Sequence, residues 1–86
     1  MKPVIQKSFL KSYGKLPKVI QNKFFERVQL FLDEPQHPLL HIHALKGDLT
    51  PLQSMNITGD YRALFTIDTK KKLVIFYKIG THSELY

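Results

Sequence analysis

The stretch LQSMNITGDYRALFTIDTKKKLVIFYKI, residues 52–79, decides the fold. It contains three runs that are rich in β-branched and aromatic residues, and each run has the length of a strand. We predict strands over residues 52–57, 61–68 and 72–79. The connections between them, at 58–60 and about 69–71, are short, and short connections join antiparallel neighbours. The sequence therefore predicts an antiparallel three-stranded meander.

Two helices are predicted ahead of this meander. Between Pro17, which suits the start of a helix, and the helix-breaking segment 33–35, apolar residues recur with a period of 3.6. They are Ile20, Phe24, Val28, Phe31 and Leu32. We expect a shorter helix with Ser8 as its N-cap, ended by Gly14, and an edge strand over 3–5. The order β-α-α-β-β-β predicts a single α+β domain over residues 1–86, with two N-terminal helices packed on a small, mainly antiparallel sheet.

Side-chain alternation divides the meander into two faces. We take Ile57 to lie opposite Tyr61, and Ile67 to lie opposite Leu73. The face beneath the helices is then almost wholly apolar, as a core should be. The other, open face holds polar residues at the end where the chain enters residues 80–86.

Three polar residues from different strands become neighbours on that open face, with a histidine just beyond them. They are Asn56, Arg62 and Lys78, and the histidine is His82. The same alternation leaves an apolar patch exposed there, and such patches often mark a partner's docking surface. The patch consists of Leu64, Val74 and Phe76.

The charge of the chain is concentrated in its first third. Residues 1–27 hold seven basic residues against one acidic residue, and the remaining residues hold six of each, which accounts for the net charge of +6. This asymmetry indicates a polyanionic partner, either nucleic acid or an acidic protein, although a solvated helix face has the same composition. The lysines that we expect to contact phosphate here are Lys7, Lys11 and Lys15.

Other features of the composition narrow the setting. There are no cysteines, which excludes disulfide frameworks and thiolate metal sites. No apolar run has the length of a signal peptide core or a membrane span. We therefore expect a cytoplasmic protein without a membrane partner.

The groups that can carry chemistry suit phosphate transfer in RNA. Histidine exchanges protons near neutral pH, and arginine and lysine stabilise charge on a phosphate. RNA supplies its own nucleophile, the 2′-OH, so a protein needs only a base, an acid and cations, without a metal or cofactor. The candidates are His82, Tyr86, Glu84, His43, Arg62, Lys46 and Lys78. The structural alternatives are a surface loop position for His82 and a pairing of Arg62 with Asp60 or Glu84.

Three segments give the sequence a family resemblance. They are HALKG at 43–47, GDYRA at 59–63 and IGTHSELY at 79–86. With the preceding helical segment, they resemble the RelE/ParE superfamily of toxins, nearest its RelE/YafQ-like branch. The resemblance implies two helices on a small, mainly antiparallel sheet, in agreement with the order predicted above.

The resemblance also implies a function. Toxins of this branch belong to type II toxin–antitoxin systems and cleave mRNA on the ribosome by 2′-OH attack on the adjacent phosphate, without a metal. The implied partners are a cognate antitoxin, the ribosome and mRNA. By motif position, His82 is the implied general acid or base, Tyr86 transfers a proton or orients the substrate, and Arg62 contacts the scissile phosphate. His43 and Lys46 are implied supporting residues, and we add Lys78 and Asn56 as RNA contacts.

Two other functions remain compatible with the sequence. ParE-like relatives share the fold but bind and inhibit DNA gyrase, and an inactive paralogue would act only as an antitoxin or repressor partner. His82, Arg62 and Tyr86 together favour the ribonuclease, because a binding toxin has no need of this proton-transfer set.

Overall fold

A computed structural model describes residues 1–86 and shows a single five-stranded sheet with helices. The strand order is β1-β5-β4-β3-β2, in which β1 is parallel to β5 and every other pair is antiparallel. The predicted α+β class and element order are confirmed, and the structure adds a two-residue strand, β2, and a short C-terminal helix, α3. The elements are β1 (Lys2–Ile5), α1 (Lys7–Tyr13), α2 (Lys18–Asp33), β2 (His43–Ala44), β3 (Gln53–Thr58), β4 (Tyr61–Asp68), β5 (Leu73–Thr81) and α3 (His82–Leu85).

The long helix α2 follows the predicted apolar period. It begins directly after Pro17, and four of the five predicted residues of its apolar stripe are buried against the sheet, while Leu32 is half-buried. The backbone N–H of Glu34 closes the last turn on the carbonyl of Leu30, and Pro35 cannot continue the helix. None of the helices has the length and apolar composition needed to cross a bilayer.

The first helix, α1, covers an edge of the sheet. Strand β1 pairs with β5 only as far as Phe76, which leaves the next residues of β5 without a neighbouring strand. The Ser8 hydroxyl donates to the carbonyl of Tyr77 at 2.8 Å, and the Ser12 hydroxyl accepts from the backbone N–H of Ile79 at 3.3 Å. Two serines therefore satisfy backbone groups that a further strand would otherwise pair. Ser8 lies inside α1, whose N-cap is Gln6, so the predicted N-cap was two residues late.

The core lies between the helices and one face of the sheet. Its centre is a cluster of aromatic rings from α1, α2, β4 and β5, whose centroids lie 4.9–5.9 Å apart. These rings belong to Phe9, Phe24, Phe65 and Phe76, and all four are buried. Burial of four large aromatic side chains together stabilises the fold through the hydrophobic effect.

The register of β4 and β5 differs from the prediction. Leu64 pairs with Lys78 and Phe65 pairs with Phe76, so Tyr77 is an extra residue in β5. Because of this β-bulge, the β5 residues before Tyr77 point to the face opposite to the predicted one. Ile67 consequently lies opposite Val74, and the predicted pairing with Leu73 was wrong.

The pairing of β3 with β4 also departs from the prediction at the turn. Tyr61 lies opposite Thr58, and the irregularity between Asn56 and Thr58 leaves Ile57 without the predicted partner. Away from the turn the alternation holds, because Asn56 pairs with Arg62 as neighbours on the open face.

The exposed apolar patch predicted on the open face does not exist. Val74 and Phe76 belong to the core beneath the helices, with no exposed surface. Leu64 does lie outside that core, but it is 1% exposed. A partner that docks on this face therefore cannot use the patch as predicted.

Candidate functional site

Helix α3 is a single turn that is fixed at its start by a capping box. The Glu84 carboxylate accepts hydrogen bonds from the backbone N–H of Thr81 at 2.8 Å and from the Thr81 hydroxyl at 2.9 Å. The bond from the backbone N–H, with that from the hydroxyl, holds the pKa of Glu84 below its usual value. The cap holds the Glu84 carboxylate, and the lowered pKa makes it a weaker base.

Gly80 provides the space that this cap requires. A Cβ at Gly80 would lie 3.1 Å from Glu84 Oε1 and 3.5 Å from Glu84 Cβ. Gly80 is buried and lies opposite Arg62 in the sheet. A side chain at this position would push the carboxylate away from Thr81.

The cap places His82 and Tyr86 on the same side of α3. These residues are four apart, and their ring centroids lie 4.4 Å from each other with an edge-to-face angle of 73°. The backbone N–H of His82 donates to the carbonyl of Asp60 at 3.1 Å, which ties α3 to the β3–β4 turn. His82 is exposed, so its imidazole can exchange protons with a molecule bound on the surface.

The hydroxyl of Tyr86 is anchored on β3. It donates to Ser54 Oγ at 2.9 Å, and Ser54 has no exposed surface. The rest of the tyrosine remains open, with 41% of the residue exposed. Ser54 pairs with Leu64 on the open face, and its contact with Tyr86 arises because the C-terminal segment folds back over the sheet, which no local pattern in the sequence indicates.

Arg62 lies in the row of residues beside α3, between Asn56 of β3 and Gly80 of β5. Its Nη1 donates to the carbonyl oxygens of Gly59 at 3.1 Å and Tyr61 at 3.3 Å. It forms no ion pair, so the proposed pairing with an acidic neighbour was wrong; the protein's one ion pair joins Lys23 and Glu26. The remaining N–H groups of the guanidinium are available to an anion.

Asn56, the neighbour of Arg62, carries an unsatisfied buried acceptor. Its Oδ1 has no hydrogen-bond partner within the protein. An acceptor buried in this way costs free energy. Asn56 thus lies beside Arg62 at a local cost in stability.

His43 lies on β2, the strand next to the one that anchors Tyr86. The β2–β3 register sets it opposite Ser54, but its imidazole Nδ1 lies 3.1 Å from the carbonyl of His41 and its ring packs against the His41 ring. It lines an open groove of about 540 Å³ formed by residues 35–43. No hydrogen bond or ring contact joins it to His82, and Lys46 is exposed beyond β2. His43 therefore lies opposite the residue that anchors Tyr86, without a direct contact to His82.

Three of the predicted phosphate-binding lysines line one groove between α1 and α3. This groove, about 380 Å³ in volume, holds Lys11, Lys15 and Lys78, with Glu84 as its one acidic residue. Lys7 lies outside it, near the start of α1. The groove ends at α3, so a polyanion lying in it would reach the helix that carries His82.

Taken together, the open face offers a proton-transfer group and cations to an extended anionic molecule. The imidazole of His82 is exposed, Tyr86 stands against it, and Arg62 and the lysine groove supply positive charge on either side. No group of three or more histidine, cysteine, aspartate or glutamate side chains is arranged to hold a metal ion.

Comparisons with known proteins identify the fold. No protein-family model matches the sequence, and a search of curated proteins finds no match. Solved structures do match over nearly the whole chain. The RelE of the archaeal RelE–RelB complex from Pyrococcus horikoshii OT3 is 25% identical, with a TM-score of 0.74 over 93% of this chain and 92% of the other.

Two further structures extend this likeness. YafQ from Escherichia coli BL21(DE3) is 18% identical, with a TM-score of 0.81 over 99% of this chain and 97% of YafQ. A copper-bound mutant of a toxin from Helicobacter pylori is 26% identical, with a TM-score of 0.73 over 100% of this chain and 99% of the toxin. The predicted resemblance to the RelE/ParE-like toxin superfamily is confirmed.

Proposed function

We propose that this chain, whose fold is that of the RelE/ParE-like toxin superfamily, is the toxin of a type II toxin–antitoxin system and a metal-independent endoribonuclease that cleaves ribosome-bound mRNA. The observation that carries the proposal is the exposed His82 imidazole, which is packed against the Tyr86 ring on the face that also presents Arg62. A shallow open face of this kind suits an extended polymer better than a small molecule.

The reaction needs groups that these side chains supply. The 2′-OH of one nucleotide attacks the adjacent phosphorus, so the O2′–P bond forms and the P–O5′ bond breaks. The 2′-OH loses a proton and the departing O5′ gains one. His82 performs one of these transfers as general acid or base. The products are a 2′,3′-cyclic phosphate and a 5′-hydroxyl.

Cations on the open face stabilise the additional negative charge of the transition state. Arg62 keeps guanidinium N–H groups that no protein acceptor uses, so it can contact the scissile phosphate. Lys11, Lys15 and Lys78 would hold the flanking phosphates in the groove beside α3. Asn56 and Lys46 are supporting RNA contacts in this proposal, and His43 is a candidate for the second proton transfer once RNA is bound.

The proposed setting is cytoplasmic, with a cognate antitoxin, the ribosome and mRNA as partners. The similar structures include a RelE–RelB complex and a DinJ–YafQ toxin–antitoxin complex, and these support an antitoxin for this chain. The basic residues of the N-terminal third would face ribosomal RNA or an acidic segment of the antitoxin.

A gyrase-binding toxin is the second candidate, because one similar structure is a YoeB/ParE toxin from Agrobacterium tumefaciens. That structure is 20% identical with a TM-score of 0.78, so it shows the shared fold alone. A binding toxin has no use for an exposed histidine held in position by a tyrosine, and this pair favours the ribonuclease.

The test is to map the 5′ ends of cellular mRNA by primer extension after brief induction of the protein. The ribonuclease predicts new 5′ ends within translated codons, and these should disappear when translation initiation is blocked. Growth arrest without new ends, accompanied by inhibited DNA supercoiling, would support the gyrase-binding toxin.

A further inference from the structure

Ser54 is the one polar side chain among the buried residues. It lies in β3 on the open face, with none of its surface exposed, and its Oγ accepts the hydrogen bond from Tyr86. A hydroxyl is costly to bury unless it is paired. The phenol of Tyr86, 32 residues away in sequence, provides that partner.

Helix α3 depends on such anchors because it is one turn long. A helix of this length does not persist in water by itself. Its first residues are held by the capping box and by the bond from the His82 backbone to Asp60. At its far end, the side-chain bond from Tyr86 to Ser54 fixes the tyrosine ring in place against the His82 ring.

We propose that Ser54 is a positioning residue for the reaction proposed above, on which this inference rests. Its hydroxyl holds the phenol of Tyr86, and the Tyr86 ring in turn fixes the orientation of the His82 imidazole over the open face. The Tyr86 hydroxyl is thus an anchor directed into the sheet, and proton transfer to the RNA falls to other groups.

The first test reads the position of His82 directly and needs no activity. In wild-type protein the Tyr86 ring, 4.4 Å away, shifts the nuclear magnetic resonance signals of the His82 ring protons through its ring current. Ser54→Ala should move these signals most of the way to their values in Tyr86→Ala, which lacks the ring. The control is Ser83→Ala, which removes an exposed hydroxyl of α3 whose one hydrogen-bond contact is Thr81 Oγ1 at 3.5 Å. Unchanged His82 signals in Ser54→Ala would overturn the proposal.

The second test separates an anchor from a proton donor. Ser54→Ala and Tyr86→Phe break the same hydrogen bond, so each should slow ribosome-dependent cleavage by about three- to tenfold, and the double variant should be no slower than either. A Tyr86 hydroxyl that donates a proton to the leaving oxygen predicts a loss of about 10²–10⁴-fold in Tyr86→Phe alone. That result, with nearly full activity in Ser54→Ala, would overturn the proposal.

These outcomes remain distinct from failure of the proposed function. Tyr86→Phe removes the same hydrogen bond at a residue that is partly exposed. It therefore tests the anchor even if Ser54→Ala does not fold. A wild-type protein that cleaves no RNA, but whose His82 signals depend on Ser54, would overturn the reaction and support the anchor. If the wild-type protein cleaves mRNA but the His82 signals do not change in Ser54→Ala, the anchor alone would be overturned.

Discussion

At the scale of single residues, His82 is the side chain whose loss should separate activity from folding. Its imidazole is exposed, whereas its structural contact to Asp60 runs through the backbone N–H. We expect His82→Ala to lower ribosome-dependent cleavage by about 10²–10⁴-fold, because a positioned acid or base typically contributes this much. The free energy of unfolding should fall by at most about 1 kcal/mol, as for other surface changes.

The measurement is single-turnover cleavage with the melting temperature recorded in parallel. His37→Asn is the matched control, because asparagine can accept the N-cap bond that His37 accepts from the backbone N–H of Leu39, and His37 has no proposed role in the reaction. Full activity of folded His82→Ala would remove this residue from the mechanism and favour the gyrase-binding toxin.

Arg62 should show a different balance between catalysis and stability. Arg62→Ala should reduce cleavage by about 10²–10³-fold through loss of charge at the scissile phosphate. It should also destabilise the fold by about 1 kcal/mol, since Gly59 and Tyr61 lose a donor. Arg62→Lys should restore the charge but not the planar set of donors, so recovery should be partial. Cleavage rates and urea unfolding would measure both effects, and full activity in Arg62→Ala would show that the arginine serves only the turn.

At the scale of secondary-structure elements, prediction succeeded where local pattern determines the structure. The apolar stripe of α2 is buried as its period predicts, and the run from Tyr61 to Asp68 matches the observed bounds of β4. The prediction of the β5 register was wrong because the run from Val74 to Tyr77 is apolar on both faces. Either register therefore buries apolar surface. The bulge at Tyr77 is fixed by tertiary contacts, including the bond from Ser8, and these are absent from local sequence.

The capping box of α3 gives an element-scale prediction about pH. The folded pKa of Glu84 is lowered, so the stabilisation it supplies is fully present above its ordinary pKa of 4.5 and is lost as pH falls through the lowered folded value. The Thr81 amide proton should therefore report loss of the cap below about pH 4.5. Glu84→Gln should remove this titration of the Thr81 signal, because its amide carries no charge. A Thr81 signal that titrates identically in Glu84→Gln would show that another group is responsible.

Gly80 offers a steric test of the same element. Gly80→Ala places a methyl group 3.1 Å from Glu84 Oε1, so the carboxylate must shift and the cap should loosen. We expect a loss of about 1 kcal/mol in stability, the size of a typical cap, with several-fold slower cleavage. Gly14→Ala is the control, because its new methyl group would meet its nearest neighbour, the carbonyl of Leu10, at an ordinary 3.5 Å. If the amide hydrogens of α3 exchange at the wild-type rate in Gly80→Ala, the cap does not require glycine at this position.

At the scale of the whole molecule, the sequence predicted residues of the candidate site but not the contacts between them. The segment IGTHSELY identified His82 and Tyr86, and alternation placed Asn56 beside Arg62. The partners of these residues follow from how α3 folds back over the sheet, so Ser54 could not be recognised in advance. The part of His43 in the site stays a prediction, because its register sets it opposite Ser54 while its ring packs against His41.

The charge asymmetry of the molecule gives the last prediction. Residues 1–27 carry the whole net charge of +6, and the fold aligns Lys11 and Lys15 of this region with Lys78 in one groove that ends at α3. Binding to ribosomes should weaken steeply with salt, because each phosphate contact releases counterions. Replacing Lys7, Lys11 and Lys15 with glutamine should lower the slope of log Kd against log salt by about 2, at about 0.7 per contact.

The matched control removes the same charge from the turn at the opposite end of β5, where residues 70–72 are lysines. If the groove carries the RNA, glutamine at those three positions should leave the salt slope close to that of the wild type. An equal reduction of the slope in the two triple variants would show that binding responds only to net charge. An unchanged slope in the first variant would show that its lysines are merely solvated, and the groove would then have no part in holding RNA.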